Sequence, residues 1–201
     1  TIDGSLPGPA SPLYSGPVTL KLPTRLRAAT MLDGAALPGA IDLSLNAASV
    51  RRRDDTQLKL CSQGIALRLA DDAPAREPRA ALMIDVANPC WIYDAAPMDG
   101  VRSIAVSVGQ VPFNFQIGAD KDKIRFRPPV TPAGEIEIRD GCDGPRIATL
   151  PLAAAARRPG ITLLTSSIAP LKGEHDLCIT YTARGVNPLW AVSAVQLVTA
   201  P

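Results

Sequence analysis

Proline and glycine recur too often along this chain to leave room for a long helix. Twenty prolines and fifteen glycines are spread through the 201 residues. Each proline removes a backbone donor, and each glycine costs entropy inside a regular element. The one helix-like stretch, 153–158, is stopped by Pro159 and is too short to matter. Short alternating runs bounded by turn residues fill the rest, and they read as strands. They are 17–22, 25–30, 41–45, 64–69, 80–86, 102–108, 113–117, 123–127, 134–139, 146–150, 161–165, 175–182 and 190–198. Many short strands at this spacing predict an all-β sandwich. Apolar residues make up 46% of the chain, enough for a core, but aromatics only 4%. That core is therefore built of Ala, Val, Ile and Leu, and each aromatic ring can be followed singly.

Charge excludes some functions. Twenty-one basic residues against nineteen acidic leave a net +2, so no basic footprint points to nucleic acid. Arg51-Arg52-Arg53 is followed at once by Asp54-Asp55 and reads as a self-neutralising linker. Together with Asn46-Ala47-Ala48-Ser49 it marks a seam between a small unit, 1–50, and a larger one, 57–201. Some 45 residues of β structure seldom stand alone, so the small unit is expected to lean on a neighbour or to be truncated. No run is apolar enough to span a bilayer. The chain opens without a signal peptide, the expectation for a mature or excised polypeptide.

The four cysteines, Cys61, Cys90, Cys142 and Cys178, form no CxxC pair, and His175 is the single histidine. Zinc therefore lacks its usual ligand spacing, and no metal site is expected. An even count in a β-rich chain points to two disulfides made in an oxidising compartment, with four buried thiols as the alternative. Of the three connectivities, Cys61–Cys90 and Cys142–Cys178 are favoured. The first would staple the opening hairpin of the larger unit, and the second would tie the Asp140–Gly144 turn to the strand bearing Cys178. A Ser-His-Asp reading would have to run through His175 and Asp176, which are adjacent on a strand and face opposite sides. The carboxylate pairs Asp71-Asp72, Asp120/Asp122 and Asp140/Asp143 lie in turns where acidic residues are ordinary.

Two stretches resemble known families. Thr1-Ile2-Asp3-Gly4-Ser5, Ser11-Pro12-Leu13-Tyr14-Ser15-Gly16-Pro17 and Leu26-Arg27-Ala28-Ala29 resemble the Ig-like domain that follows the barrel in chitobiase-type β-N-acetylhexosaminidases. The likeness spans roughly the first 35 residues and lacks that domain's first strand and tyrosine. Trp91-Ile92-Tyr93, Gly134 to Ile138 and Gly173 to Thr182, continued by Asn187-Pro188-Leu189-Trp190, fall in the order of galactose-binding-like jelly-roll carbohydrate modules. Asp71 to Ala80, Asn88 to Tyr93 and Val108 to Asp120 are similar to the C-terminal extension of proteobacterial β-N-acetylhexosaminidases. The resemblance implies a partial Ig-like unit followed by a jelly-roll β-sandwich, in a periplasmic or secreted protein. The catalytic Asp–Glu pair of those enzymes sits on a (β/α)8 barrel for which this chain is too short. It is thus read as a non-catalytic accessory fragment of a glycoside hydrolase, with no hydrolase activity of its own, that recognises GlcNAc-containing glycans and partners a catalytic barrel. The rival is a structural module that packs on that barrel or a second subunit without binding sugar, and a third reading is an adhesin-like surface protein. No cofactor is expected; a structural Ca²⁺ is left open by the resemblance, although no acidic loop supplies a full ligand set by spacing.

Sugar faces stack on aromatic rings, and sugar hydroxyls need amide or charged partners. Candidate ligand-binding residues are therefore Trp190 and Asn187 at the final turn, Trp91 and Tyr93 on one strand face, and Asn114 and Gln116. The two amides alternate with Phe113 and Phe115 and would face outward if the rings fill the core. For Trp91, Tyr93 and Trp190 a place in the core is the competing reading.

Overall fold

The computed structural model describes residues 1–62, 64, 66–70, 81–111, 113, 118–124 and 126–199. The chain divides into two compact units, Thr1–Val50 and Arg51–Pro201.

In the first unit, β1 (Thr24–Ala28) pairs antiparallel with β4 (Ile41–Leu45), and β2 (Met31–Leu32) with β3 (Ala35–Ala36). Asp33-Gly34 joins β2 to β3 with φ of 50° and 81°, the two-residue turn whose twist suits a hairpin. Arg25 and Arg27 clasp Asp42 across β1 and β4. Their hydrogen bonds hold the Asp42 carboxyl well below the usual carboxylate range. Every residue of this unit is described, and none is buried. The strand expected at 17–22 does not form. Alternation alone cannot make a strand without a neighbour to pair with, and Val18 and Leu22 remain exposed.

Among its described residues the second unit holds two antiparallel sheets. Its strands are β5 (Arg52–Asp54), β6 (Lys59–Leu60), β7 (Ala66–Ala70), β8 (Ala81–Asp85), β9 (Cys90–Pro97), β10 (Val101–Val111), β11 (Glu135–Asp140), β12 (Arg146–Pro151), β13 (Thr162–Ser167), β14 (Glu174–Tyr181) and β15 (Leu189–Thr199). One sheet runs β13-β10-β15-β8-β7, with β5 also pairing β15; the other runs β12-β11-β14-β9-β6. Ile104, Val106, Leu189 and Val195 of the first sheet share one core with Trp91, Ile136, Ile138 and Ile179 of the second. β15 is paired along both edges, which is why Leu189 to Val192 read as an unbroken apolar run.

Two expectations are corrected here. Arg52–Asp54 is a strand pairing with Gln196–Ala194, not part of a linker. The guanidinium of Arg53 lies 5.0 Å from the Tyr93 ring centroid, and buried Asp55 pairs with Arg68 at 2.7 Å. The run at 123–127 begins at the end of a 3₁₀ turn, Gly118–Lys123, and among the described residues it contributes only an isolated bridge, Arg127 to Thr182. Of the strand expected at 113–117, residues 114–117 lie outside the described ones.

The two disulfides are Cys61–Cys90 and Cys142–Cys178, with Cα separations of 5.4 and 5.0 Å. Both were favoured by the sequence, and the structure has no free thiol among its described cysteines.

Two buried carboxylates organise the loops. Asp85 accepts from Ser62 Oγ and from the Ala87 and Asn88 amides, closing the turn into β9. Glu135 accepts from the Thr131 and Val130 amides and from Thr182 Oγ1. Gly134 beside it has φ +82°, and a methyl group there would overlap the Thr182 carbonyl oxygen. Gly134→Ala is therefore expected to cost about 2–3 kcal/mol, from left-handed strain plus the displaced ladder. A urea midpoint indistinguishable from the parent's would refute it.

Candidate functional site

The inward faces of the strands claim most of the aromatic residues that sequence pattern offered for binding. Trp91 and Tyr93 sit two apart on β9 and are both fully buried. Trp91 Nε1 donates to the Met83 carbonyl at 2.7 Å, linking the two sheets. The Tyr93 hydroxyl is buried with no hydrogen-bond partner among the described residues. Trp190 is 4% exposed, because the last strand is central and its first residues already lie beneath the rim. None of these three rings offers a free face for a sugar. Asn187 is exposed, but its Oδ1 accepts the Phe113 amide at 3.2 Å. Asn114 and Gln116 lie outside the described residues.

What the fold does build is a pair of depressions at the rim, one on each side of the segment between β14 and β15. The larger, of ≈ 640 Å³, is lined by Lys121, Asp122, Ile124, Phe126, Arg184 and Val186 among others. The smaller, of ≈ 270 Å³, is lined by Gln110, Gly134, Arg184, Asn187 and Trp190 among others. Phe126 is half-buried and stacks on the buried Tyr181, ring centroids 5.1 Å apart. Tyr181, anchored in β14, thereby fixes the ring that reaches the larger cleft. Asp122 and Lys121 come from the 3₁₀ turn, where Lys123 pairs with Asp120 at 2.6 Å. Arg184 is exposed and lines both clefts. A held aromatic ring beside a guanidinium, a carboxylate and an ammonium group suits a ligand with apolar faces and hydroxyl edges. Trp190 and Asn187 do reach the smaller cleft, although Trp190 contributes little area. Pattern reading missed Phe126 and Arg184: 123–127 looked like a strand, and an arginine in a turn carries no signal of its own.

The titratable clusters belong to the scaffold. Burial pushes Glu137 up, but hydrogen bonds from Arg127 and Arg146, each 2.8 Å, and the charge of Arg139 outweigh it. The carboxyl is held below its usual range, and it is 7% exposed against three partly exposed guanidiniums. A lowered folded pKa contributes stability above the unfolded value of about 4.3, lost as pH falls through the folded value. Glu137→Gln is expected to cost about 1–3 kcal/mol at neutral pH, since it leaves arginines crowded around a neutral group. It should also flatten the acid side of the stability profile. Equal pH dependence in both proteins would count against this.

His175 does not relay to Asp176. Its Nδ1 lies 2.9 Å from Asp140 Oδ1 on the neighbouring strand, and its Nε2 lies 3.0 Å from the Lys172 carbonyl. Asp140 first, then that carbonyl, raise its pKa. Asp176 instead accepts the amide of Ala95 at 2.9 Å, the bulged residue of β9 with φ 46°.

No protein-family model and no curated protein matches this sequence. Among solved structures, the carbohydrate-binding module CsCBM6-3 from Clostridium stercorarium, solved with cellobiose, aligns at TM-score 0.50 and 10% identity. The alignment covers 74% of this chain and 93% of that one. The larger unit is a jelly-roll β-sandwich. A glycoside hydrolase family 43 arabinoxylan arabinofuranohydrolase from Bacillus subtilis, solved with cellotetraose, aligns at TM-score 0.50 and 17% identity over 88% of this chain. This chain spans 33% of that enzyme.

Proposed function

We propose that this chain is a carbohydrate-recognition accessory module that takes a GlcNAc-containing glycan in the rim clefts beside the β14–β15 segment. It would serve a periplasmic or secreted β-N-acetylhexosaminidase, holding the enzyme near its substrate while the catalytic barrel does the chemistry. The observation that carries the reading is Phe126, held by Tyr181 in one cleft with Arg184, Asp122 and Lys121. The jelly-roll sandwich supports it, as the module CsCBM6-3, which aligns with it, has been solved with cellobiose. The sequence resemblance supports the parent enzyme and the Ig-like identity of the first unit, and the two disulfides support export. A structural Ca²⁺ is not part of the proposal.

An open cleft with few polar contacts gives modest affinity, about millimolar to tens of micromolar. Calorimetric titration with chitooligosaccharides tests this. Phe126→Ala is expected to weaken binding about 3- to 10-fold, the scale of one aromatic contact; Arg184→Ala should weaken it similarly. Absence of binding, or affinity unchanged in both variants, would refute the site.

The purely structural reading has its own support. Thr1–Val50 buries no residue, and Leu6, Leu13 and Tyr14 are 79%, 92% and 76% exposed. The burial of Trp91, Tyr93 and Trp190 also fits it. On that reading the apolar surface docks on a barrel or second subunit, and the chain alone self-associates and ignores glycans.

A further inference from the structure

We propose that the chain carries a second, redox-gated ligand site: once both disulfides are reduced, Cys61, Cys90, Cys142 and Cys178 bind one Zn²⁺ as a tetrathiolate centre. The four Sγ atoms all lie within 4.8 Å of one another. Between the two bridges, Cys90 and Cys178 are 3.5 Å apart, Cys61 and Cys142 3.9 Å, and Cys61 and Cys178 4.0 Å. A tetrahedral zinc with Zn–S bonds of about 2.3 Å places its sulfurs about 3.8 Å apart. Three of the four separations between the bridges therefore already match a ZnS₄ tetrahedron. Only the two bonded pairs must part, by roughly 1.8 Å from an ordinary S–S bond, which rotation about the cysteine side chains can supply.

The frame around the sulfurs is held by backbone hydrogen bonds and not by the bridges alone. The Cys61 amide donates to the Cys90 carbonyl at 3.2 Å, and the Gly141 amide beside Cys142 donates to Asp176 at 2.7 Å. Cys178 sits mid-ladder, in register with Arg139 on one side and Ile92 on the other. Cys90 and Cys178 are buried whereas Cys142 is exposed, so an ion has a way in at one corner. Charge also fits. A tetrathiolate zinc is doubly negative, and Arg139 is the cross-strand partner of Cys178 on the same sheet face. Among the described residues its Nε is buried without a hydrogen-bond partner, while its other two nitrogens donate to the Gly144 carbonyl and to Glu137.

The chemistry balances. Two protein disulfides and four small-molecule thiols give four cysteine thiols and two small disulfides. Zn²⁺ then displaces four protons from the thiols, with no electron transferred in that step. Thiolate ligands select zinc and comparably soft ions over Ca²⁺ or Mg²⁺. The spacing rule that argued against zinc applies to ligands on one short loop; here four separate segments of the sandwich supply them.

The full chain, reduced with a phosphine and freed of excess reductant under argon, is titrated with Co²⁺ and then Zn²⁺. Expected are one Co²⁺ per chain, sulfur-to-cobalt charge-transfer absorption with tetrahedral d–d bands, displacement by Zn²⁺, and a melting temperature raised by Zn²⁺. The oxidised chain should show none of these. Cys142→Ser, at the exposed corner, should lower Zn²⁺ affinity at least tenfold and remove the four-sulfur spectrum. The proposal is overturned by no thiolate band in the reduced chain, by the same spectrum in the oxidised chain, or by Cys142→Ser binding as tightly. It is equally overturned if the reduced chain in concentrated urea binds as well, since that is the behaviour of unfolded thiols.

Discussion

Reducing both disulfides without added metal is expected to remove most of the stability of the larger unit. The bridges close loops with sequence separations of 29 and 36 residues. The chain-entropy estimate gives about 3.5–4 kcal/mol for each, as an upper figure. The two loops do not overlap in sequence, so their effects on the unfolded chain should nearly add. Domains of this size have about 5–15 kcal/mol in hand, and a loss of about 7 kcal/mol leaves the sandwich marginal. Urea unfolding with and without a phosphine reductant measures it, and the paired variants Cys61→Ser/Cys90→Ser and Cys142→Ser/Cys178→Ser apportion it. A midpoint unmoved by reduction would mean that the strand ladders alone hold these segments.

Trp91→Ala is expected to be the most damaging single change, costing about 4–5 kcal/mol. The indole is fully buried between the sheets, and emptying a site of that size costs about 3–5 kcal/mol in transfer and cavity terms. The Met83 carbonyl also loses its partner, at about another 1 kcal/mol. Trp91→Phe separates these contributions, since it keeps much of the ring and should cost about half as much. Equilibrium unfolding read by circular dichroism tests both, and equal stability of the two variants would contradict the division. Phe126→Ala belongs to a different class. Its ring is half-buried at the rim, so truncation should cost about 1–2 kcal/mol of stability, well below Trp91→Ala, and leave a folded chain in which the loss of glycan affinity can be read.

The difference between those two aromatic residues marks where pattern reading stops. Trp91 and Tyr93 could be placed on one face of a strand because side chains alternate with period two. Which face pointed inward depended on the partner strands, and β9 turned both rings into the core. For Trp190 the turn residues Asn187-Pro188 correctly marked a loop, but one residue further on the chain already lies in a central strand. Phe126 and Arg184 could not be found at all, because the cleft they line arises from two segments, 121–126 and 183–186, that are far apart in sequence and meet only at the rim.

Proline and glycine punctuation with period-two alternation determined the all-β class, and most strands of the larger unit, by local physics that needs no partner. The favoured cysteine pairs also followed from the order of strands and turns. Tertiary structure alone decided what depends on neighbours. It drew Arg52–Asp54 out of an apparent linker into a strand, since a charged run becomes a strand only when another strand offers it a ladder. It left 17–22 unpaired for the converse reason. It turned two separate disulfides into one cluster of four sulfurs, because distance along the chain does not constrain distance across a folded sheet.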